Sequence, residues 1–109
     1  MAYGEGLAQR IREHVGAESG LTEKPMFGGL SFLVHGNMAV GVIGDELIVR
    51  VGPDATDAAP ARPGARLFDF SNRPMRGWVT VTNSALADDT TLGEWIDHGR
   101  DFAAGLPAK

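Results

Sequence analysis

Leu30-Ser31-Phe32-Leu33-Val34-His35-Gly36-Asn37-Met38-Ala39-Val40-Gly41-Val42-Ile43-Gly44-Asp45-Glu46-Leu47-Ile48-Val49-Arg50-Val51 holds three short runs rich in β-branched and aromatic residues, parted by Gly36-Asn37 and Gly44-Asp45. Such runs favour extended backbone. The two Gly-containing dipeptides tolerate the positive φ angles of tight hairpin turns, so the stretch predicts three strands in an antiparallel meander. Side chains alternate across a strand. Leu30, Phe32 and Val34 therefore share one face against Ser31, Leu33 and His35, and Leu47, Val49 and Val51 alternate with Ile48 and Arg50. Gly41 weakens a mid-strand position, which implies a close neighbour from an adjacent strand or a helix.

Working outward, Met26-Phe27-Gly28-Gly29 extends the strand-like region towards the N-terminus. Before it, Leu7, Ile11 and Val15 recur every four residues among Arg10, Arg12 and Glu13, the pattern of a helix with one buried stripe, closed by Gly16 and Gly20. Beyond the meander, Gly52-Pro53-Asp54 opens an Ala-rich stretch to Ala61 that reads as a short helix limited by Pro60. Pro63-Gly64 then turns the chain into two further strands, Arg66 to Phe70 and Gly77 to Thr82. Thr91 with Glu94 has capping-box spacing, and Leu92, Trp95, Ile96, Gly99, Phe102, Ala103 and Leu106 form an apolar stripe at helical period. The order predicts an α+β fold: a two-layer arrangement of an antiparallel meander sheet with helices on one face.

A chain of 109 residues, 43% hydrophobic, fits one domain spanning 1–109. It has no cysteine, so disulfides and thiolate chemistry are excluded. No apolar run reaches the ~18 residues of a membrane span, and Met1-Ala2-Tyr3-Gly4-Glu5 lacks the layout of a secretory signal. A cytoplasmic location without membrane contact is expected. The net charge of -4 disfavours general binding to nucleic acid, which depends on basic groups displacing counterions. Charge is uneven, however. Arg62, Arg66, Arg73 and Arg76 face Asp69 alone within their segment, whereas Asp88, Asp89, Glu94, Asp97 and Asp101 face Arg100.

Catalytic and metal constellations are missing from the pattern. His14, His35 and His98 have no ligand spacing, and no H-E-x-x-H pair seeds a site. Ser19, Ser31, Ser71 and Ser84 lie in no nucleophile elbow. Asp45-Glu46 and Asp88-Asp89 are neighbours suited to turns and helix starts, not carboxylates opposed across a cleft. Gly28-Gly29 has neither Walker nor dinucleotide-fold spacing and reads as a bulge or bend between strands. No catalytic residue, metal or cofactor is expected. What remains is a candidate interaction surface of Arg62, Arg66, Arg73, Arg76 and Trp78, where arginine forks would hold phosphates or an acidic partner and Trp78 would offer a stacking face. Set against it is the plainer reading of a solvated loop, with arginine stems covering apolar surface and Trp78 partly buried under a helix. Asp97 and Asp101 sit four apart on the wet face of the last helix, a repulsion that Arg100 or a basic partner would offset.

Thr22-Glu23-Lys24-Pro25-Met26-Phe27-Gly28-Gly29-Leu30-Ser31-Phe32-Leu33-Val34, followed by Gly36-Asn37-Met38-Ala39-Val40-Gly41-Val42, resembles the signature of the TfoX/Sxy family's N-terminal domain. Supporting blocks are Leu47 to Pro53, Arg62-Pro63-Gly64-Ala65 and Pro74-Met75-Arg76-Gly77-Trp78-Val79. Together they cover nearly the whole chain. The resemblance implies a secretion-chaperone-like fold of helices flanking a meander, and a link to regulators of natural competence that act beside a cyclic-AMP-responsive activator. It offers no catalytic residues, and a stand-alone domain lacking the C-terminal domain of the longer members is expected. Pro60 falls within a helix that similar sequences keep uninterrupted. The expectation is a non-enzymatic regulatory module that binds an unknown protein partner, with a homodimer allowed, through the sheet edge or the region around Arg76 and Trp78. The alternatives are an accessory nucleic-acid binder using the Arg62 to Arg76 segment and an enzyme on a small metabolite.

Overall fold

Residues 5–16, 20–26, 29–53, 62, 64–70 and 73–107 are described by the computed structural model of the chain. They form α1 (Glu5–Val15), β1 (Leu21–Met26), β2 (Gly29–Val34), β3 (Asn37–Ile43), β4 (Glu46–Arg50), β5 (Ala65–Phe70), β6 (Arg73–Val81), a 3-10 turn at Asn83–Leu86 and α2 (Asp89–Ala104). All six strands pair antiparallel in one sheet of order β1-β2-β3-β4-β6-β5. The α+β class and the meander are as the pattern predicts. The short helix expected between Pro53 and Ala61 lies outside the described residues, as do Phe27 and Gly28. The last strand starts at Arg73, four residues ahead of the expected Gly77.

Both hairpins have two-residue loops, because Val34 pairs with Asn37 and Ile43 with Glu46. In the first, His35 and Gly36 take the positive φ angles, +50° and +85°. The turn thus sits one residue earlier than Gly36-Asn37, and Asn37 is the first residue of β3. Its buried side chain donates to the Pro107 carbonyl at 2.9 Å, tying the segment after α2 to the sheet. Between Phe32 and Leu33 the register slips, leaving Ala39 as the extra residue of a bulge. A bulge turns the following side chains over. Ala39 accordingly packs with Val34 and Ala103, while Met38 joins Ile48 and Phe68 in another cluster.

The sheet thereby acquires two distinct faces. On one, Leu30, Phe32, Val40, Val42, Leu47, Val49, Val51, Val79 and Val81 meet Leu7, Ile11 and Val15 of α1 and Leu92, Trp95 and Ile96 of α2 in a single buried cluster. Two helices on one face of an antiparallel sheet is a two-layer solution that buries the main apolar stripe of each helix against that face. α2 crosses β3 where Gly99 meets Ala39: a Cβ there would overlap the Ala39 carbonyl oxygen and come within 2.9 Å of Val40 Cγ1. Glycine at this point lets helix and strand backbones approach as no other residue does. Gly41 answers a different need from the one expected. Its missing Cβ makes room for Met38 of its own strand, whose Cε would lie at 2.7 Å, and for the Leu30 carbonyl oxygen at 3.1 Å.

α2 begins at Asp89, two residues before Thr91. Asp88 is its N-cap, with an extended backbone and a carboxylate Oδ2 that accepts from the Thr91 amide at 3.0 Å and from the Thr91 hydroxyl at 3.1 Å. The Thr91 capping box is therefore corrected to an Asp88 cap in which Thr91 is the donor. A carboxylate serves the orphan amides better than a hydroxyl because it also opposes the positive end of the helix dipole. Arg10 of α1 clasps this junction, one guanidinium nitrogen donating at 2.7 Å to both the Leu86 carbonyl and Asp89.

Candidate functional site

The arginine segment divides between surfaces. Ala65 packs against the helix-covered core, so Arg66, next along β5, takes the opposite phase. There it donates two parallel bonds, 3.1 and 3.0 Å, to Glu46 at the start of β4. Arg62 instead serves the helix side: it donates to Glu94 at 3.3 Å and its guanidinium carbon stands 4.0 Å from the centre of the Trp95 ring. Arg73 and Arg76 contribute their backbones to β6, and their side chains lie outside what the structure describes.

Trp78 is half-buried. Val79 and Val81 fill the core under α2, so Trp78 and Thr80 occupy the other face, where Trp78 packs beside Met38, Ile48 and Phe68. It rests on the sheet's own side chains, away from the face on which α1 and α2 pack. Directly across the β4–β6 ladder stands Arg50. Its guanidinium carbon lies 5.2 Å from the centre of the Trp78 ring and 5.5 Å from that of Phe102, which arrives from the last turn of α2. The chain is shaped to allow this meeting. Val51 and Gly52 both donate to the Gly77 carbonyl, at 2.8 and 3.1 Å, and Gly52, at φ +89°, leaves room for the Phe102 ring where any Cβ would strike it.

Arg50 and Phe102 are the residues that pattern reading passed over. Arg50 breaks an otherwise apolar strand, which is a signal of sorts, but only the strand pairing brings it to Trp78. Phe102 falls on the apolar stripe of α2, yet it is half-buried and not part of the core.

The histidines do not converge. His14 meets Asp97 at 3.0 Å, His98 stacks parallel to Trp95 with centroids 6.4 Å apart, and His35 is exposed at the first hairpin. Among the described residues no group of three or more histidines and carboxylates is placed to hold a metal ion. A cleft of about 230 Å³ lies between α1 and α2, lined by Arg10, Glu13, His14, Asp89, Leu92 and Gly93. Of its polar groups Arg10 is paired with Asp89 and His14 is bonded to Asp97, which lies outside the lining and also accepts from Arg100 at 2.9 Å. That last contact offsets the Asp97–Asp101 repulsion on α2.

A family model, the TfoX N-terminal domain, matches residues 13–103. The chain belongs to the TfoX N-terminal domain family. The match runs from the end of α1 almost to the end of α2, so it takes in every strand and both faces of the sheet. At the family level this TfoX-type domain is a regulatory module. No curated protein and no solved structure matches the chain. Among the described residues no helix of the domain is long and apolar enough to cross a membrane.

Proposed function

We propose that this TfoX-type domain is a non-enzymatic regulatory module of the cytoplasm that works by docking a protein partner on the sheet face bearing Trp78. One observation carries the reading: a half-buried tryptophan, the residue type most often found as an interface anchor, stands on the face opposite α1 and α2 with an arginine within 5.2 Å of its ring centre. Family membership supports the regulatory part.

The open edge at β1 is a poorer route for a partner. The His35 amide donates to the Gly20 carbonyl, which makes 20 and 35 a bonded pair and turns every second residue, Thr22 and Lys24, towards β2. Leu21, Glu23 and Pro25 then face outward, and Pro25 has no amide to offer an added strand. A nucleic-acid reading has less behind it, because Arg62 and Arg66 are already held by Glu94 and Glu46.

Affinity co-purification of the tagged full chain from its native host, with chemical cross-linking, tests the proposal. Wild type is expected to recover a defined protein partner, with cross-links near Trp78, and Trp78→Ser is expected to lose it while remaining folded. Reproducible recovery of nothing, or equal recovery by the variant, would overturn the reading.

A further inference from the structure

We infer that Arg50, held between Trp78 and Phe102, is a receptor for a single carboxylate presented by an acidic side chain of the partner protein. Arg10, Arg12, Arg62, Arg66 and Arg100 each hold a carboxylate, respectively Asp89, Glu23, Glu94, Glu46 and Asp97. Arg50 alone of the arginines with described side chains has none, in a chain where acids outnumber bases 14 to 10. Among the described residues its contacts of a polar kind are with the two rings.

A ring attracts a guanidinium through its charge, whereas the five N–H donors of the guanidinium need acceptor atoms to form hydrogen bonds. The two rings hold Arg50 in place, and among the described residues none of its N–H donors meets a hydrogen-bond acceptor. A half-buried cation fixed in this way has already lost most of its rotamer freedom, so a ligand need not order it again. Low local dielectric from Trp78, Phe102 and the adjoining Met38–Ile48–Phe68 cluster strengthens any bond it makes. The complement of a fixed planar fork is a planar carboxylate, which accepts two parallel N–H bonds. One receptor of this kind suits one acidic side chain. A nucleic-acid strand gains its affinity from many phosphates neutralised together, and Arg50 is a single cation in a chain of net charge -4.

This inference rests on the protein-docking reading for its use in the cell, but the receptor can be tested without any partner. The side-chain Nε–Hε resonance of Arg50 and the indole resonance of Trp78 would be followed by NMR in the ¹⁵N-labelled full chain. N-acetylglutamate N-methylamide is the probe, N-acetylglutamine N-methylamide its uncharged match, and a short oligothymidylate at equal ionic strength the polyanion. The expected result is saturable shifts of both resonances with the glutamate probe, at a dissociation constant in the ~1–50 mM range that one bidentate pair supplies. The glutamine probe should produce none. In Arg50→Gln the Trp78 shift should vanish, and Arg50→Lys, which keeps charge without the fork, should weaken binding ~3-fold or more. Absence of a saturable shift, identical Trp78 shifts in Arg50→Gln, or Arg50-dependent binding of the oligonucleotide tighter than the glutamate probe would each overturn the assignment. A domain that fails this titration yet still recovers its partner through Trp78 would lose the receptor and keep the docking reading.

Discussion

Gly99→Ala adds one methyl group to a helix and should destabilise the protein, although alanine is the better helix former. The methyl would overlap the Ala39 carbonyl oxygen, approach the Ala39 carbonyl carbon at 3.1 Å and touch Val40 Cγ1 at 2.9 Å. β3 cannot step aside, because it is bonded to β2 on one side and β4 on the other. α2 must lift instead, loosening Trp95, Ile96 and Ala103 from the sheet. Overpacking typically costs about 1–3 kcal/mol and more where unyielding backbone is the obstacle, against about 1 kcal/mol gained from helix propensity. The net expectation is a loss of ~1–3 kcal/mol, or a melting temperature lower by roughly 5–20 °C. Gly6→Ala is the matched control: it lies in α1 with nothing within 4 Å of the added carbon, and should stabilise by ~0.5 kcal/mol. Equilibrium urea unfolding followed by Trp95 fluorescence would measure both. If Gly99→Ala proves as stable as wild type, the close crossing of α2 over β3 is wrong.

Two further outcomes follow from the local chemistry. Asp88→Ala should cost ~1 kcal/mol by removing the acceptor at the start of α2, and Thr91→Ala distinctly less, since the Thr91 amide would remain capped; urea unfolding of the pair would show equal or reversed losses if Thr91 were the cap. The Arg12 guanidinium, through its paired bonds to Glu23, holds the Glu23 carboxyl below its ordinary pKa of 4.5. A carboxyl lowered on folding stabilises the protein above its unfolded pKa, and that contribution fades as pH falls through the lower, folded value. Both side chains are more than a third exposed or nearly so, and solvent screening limits the effect to ~0.5 kcal/mol. Glu23→Gln should therefore reduce stability at pH 7 and leave it unchanged near pH 2, as read from urea midpoints at each pH; an equal loss at both would show that the ion pair contributes nothing.

The parts of the fold legible in the sequence are those governed by neighbours along the chain. Two-residue alternation with Gly-bearing turns marked the meander, and the four-residue recurrence of Leu7, Ile11 and Val15 marked α1. Where one residue's role depends on its exact register, local pattern misled. His35, not Asn37, accompanies Gly36 in the turn, because a non-glycine at φ +50° is invisible to composition. The bulge at Ala39 turns Met38 away from the helices, and nothing in Met38-Ala39-Val40 announces it. Thr91 and Glu94 have ideal capping-box spacing, yet Asp88 lies three residues earlier with the stronger acceptor.

The candidate surface illustrates the same limit in three dimensions. Counting charges gathered Arg62 and Arg66 into one segment, but strand alternation sends them to different partners, Glu94 and Glu46. Trp78 was found because a large aromatic on the outward phase of a strand is conspicuous. Arg50 was not, since its meeting with Trp78 needs the pairing of β4 with β6 across an intervening stretch of chain, and its meeting with Phe102 needs α2 to pass over Gly52. Contacts of that kind are fixed by topology, which periodicity alone does not specify.

Acrylamide quenching of the two single-tryptophan proteins, Trp95→Phe and Trp78→Phe, tests most directly whether the domain offers Trp78 outward while sealing Trp95 in its core. Trp95 is fully buried beneath Arg62, and Trp78 is half-buried on the opposite face. The account predicts ready quenching of Trp78 in the first protein and almost none of Trp95 in the second, with both folded. Equal shielding of the two indoles would contradict it, since no anchor would then face a partner.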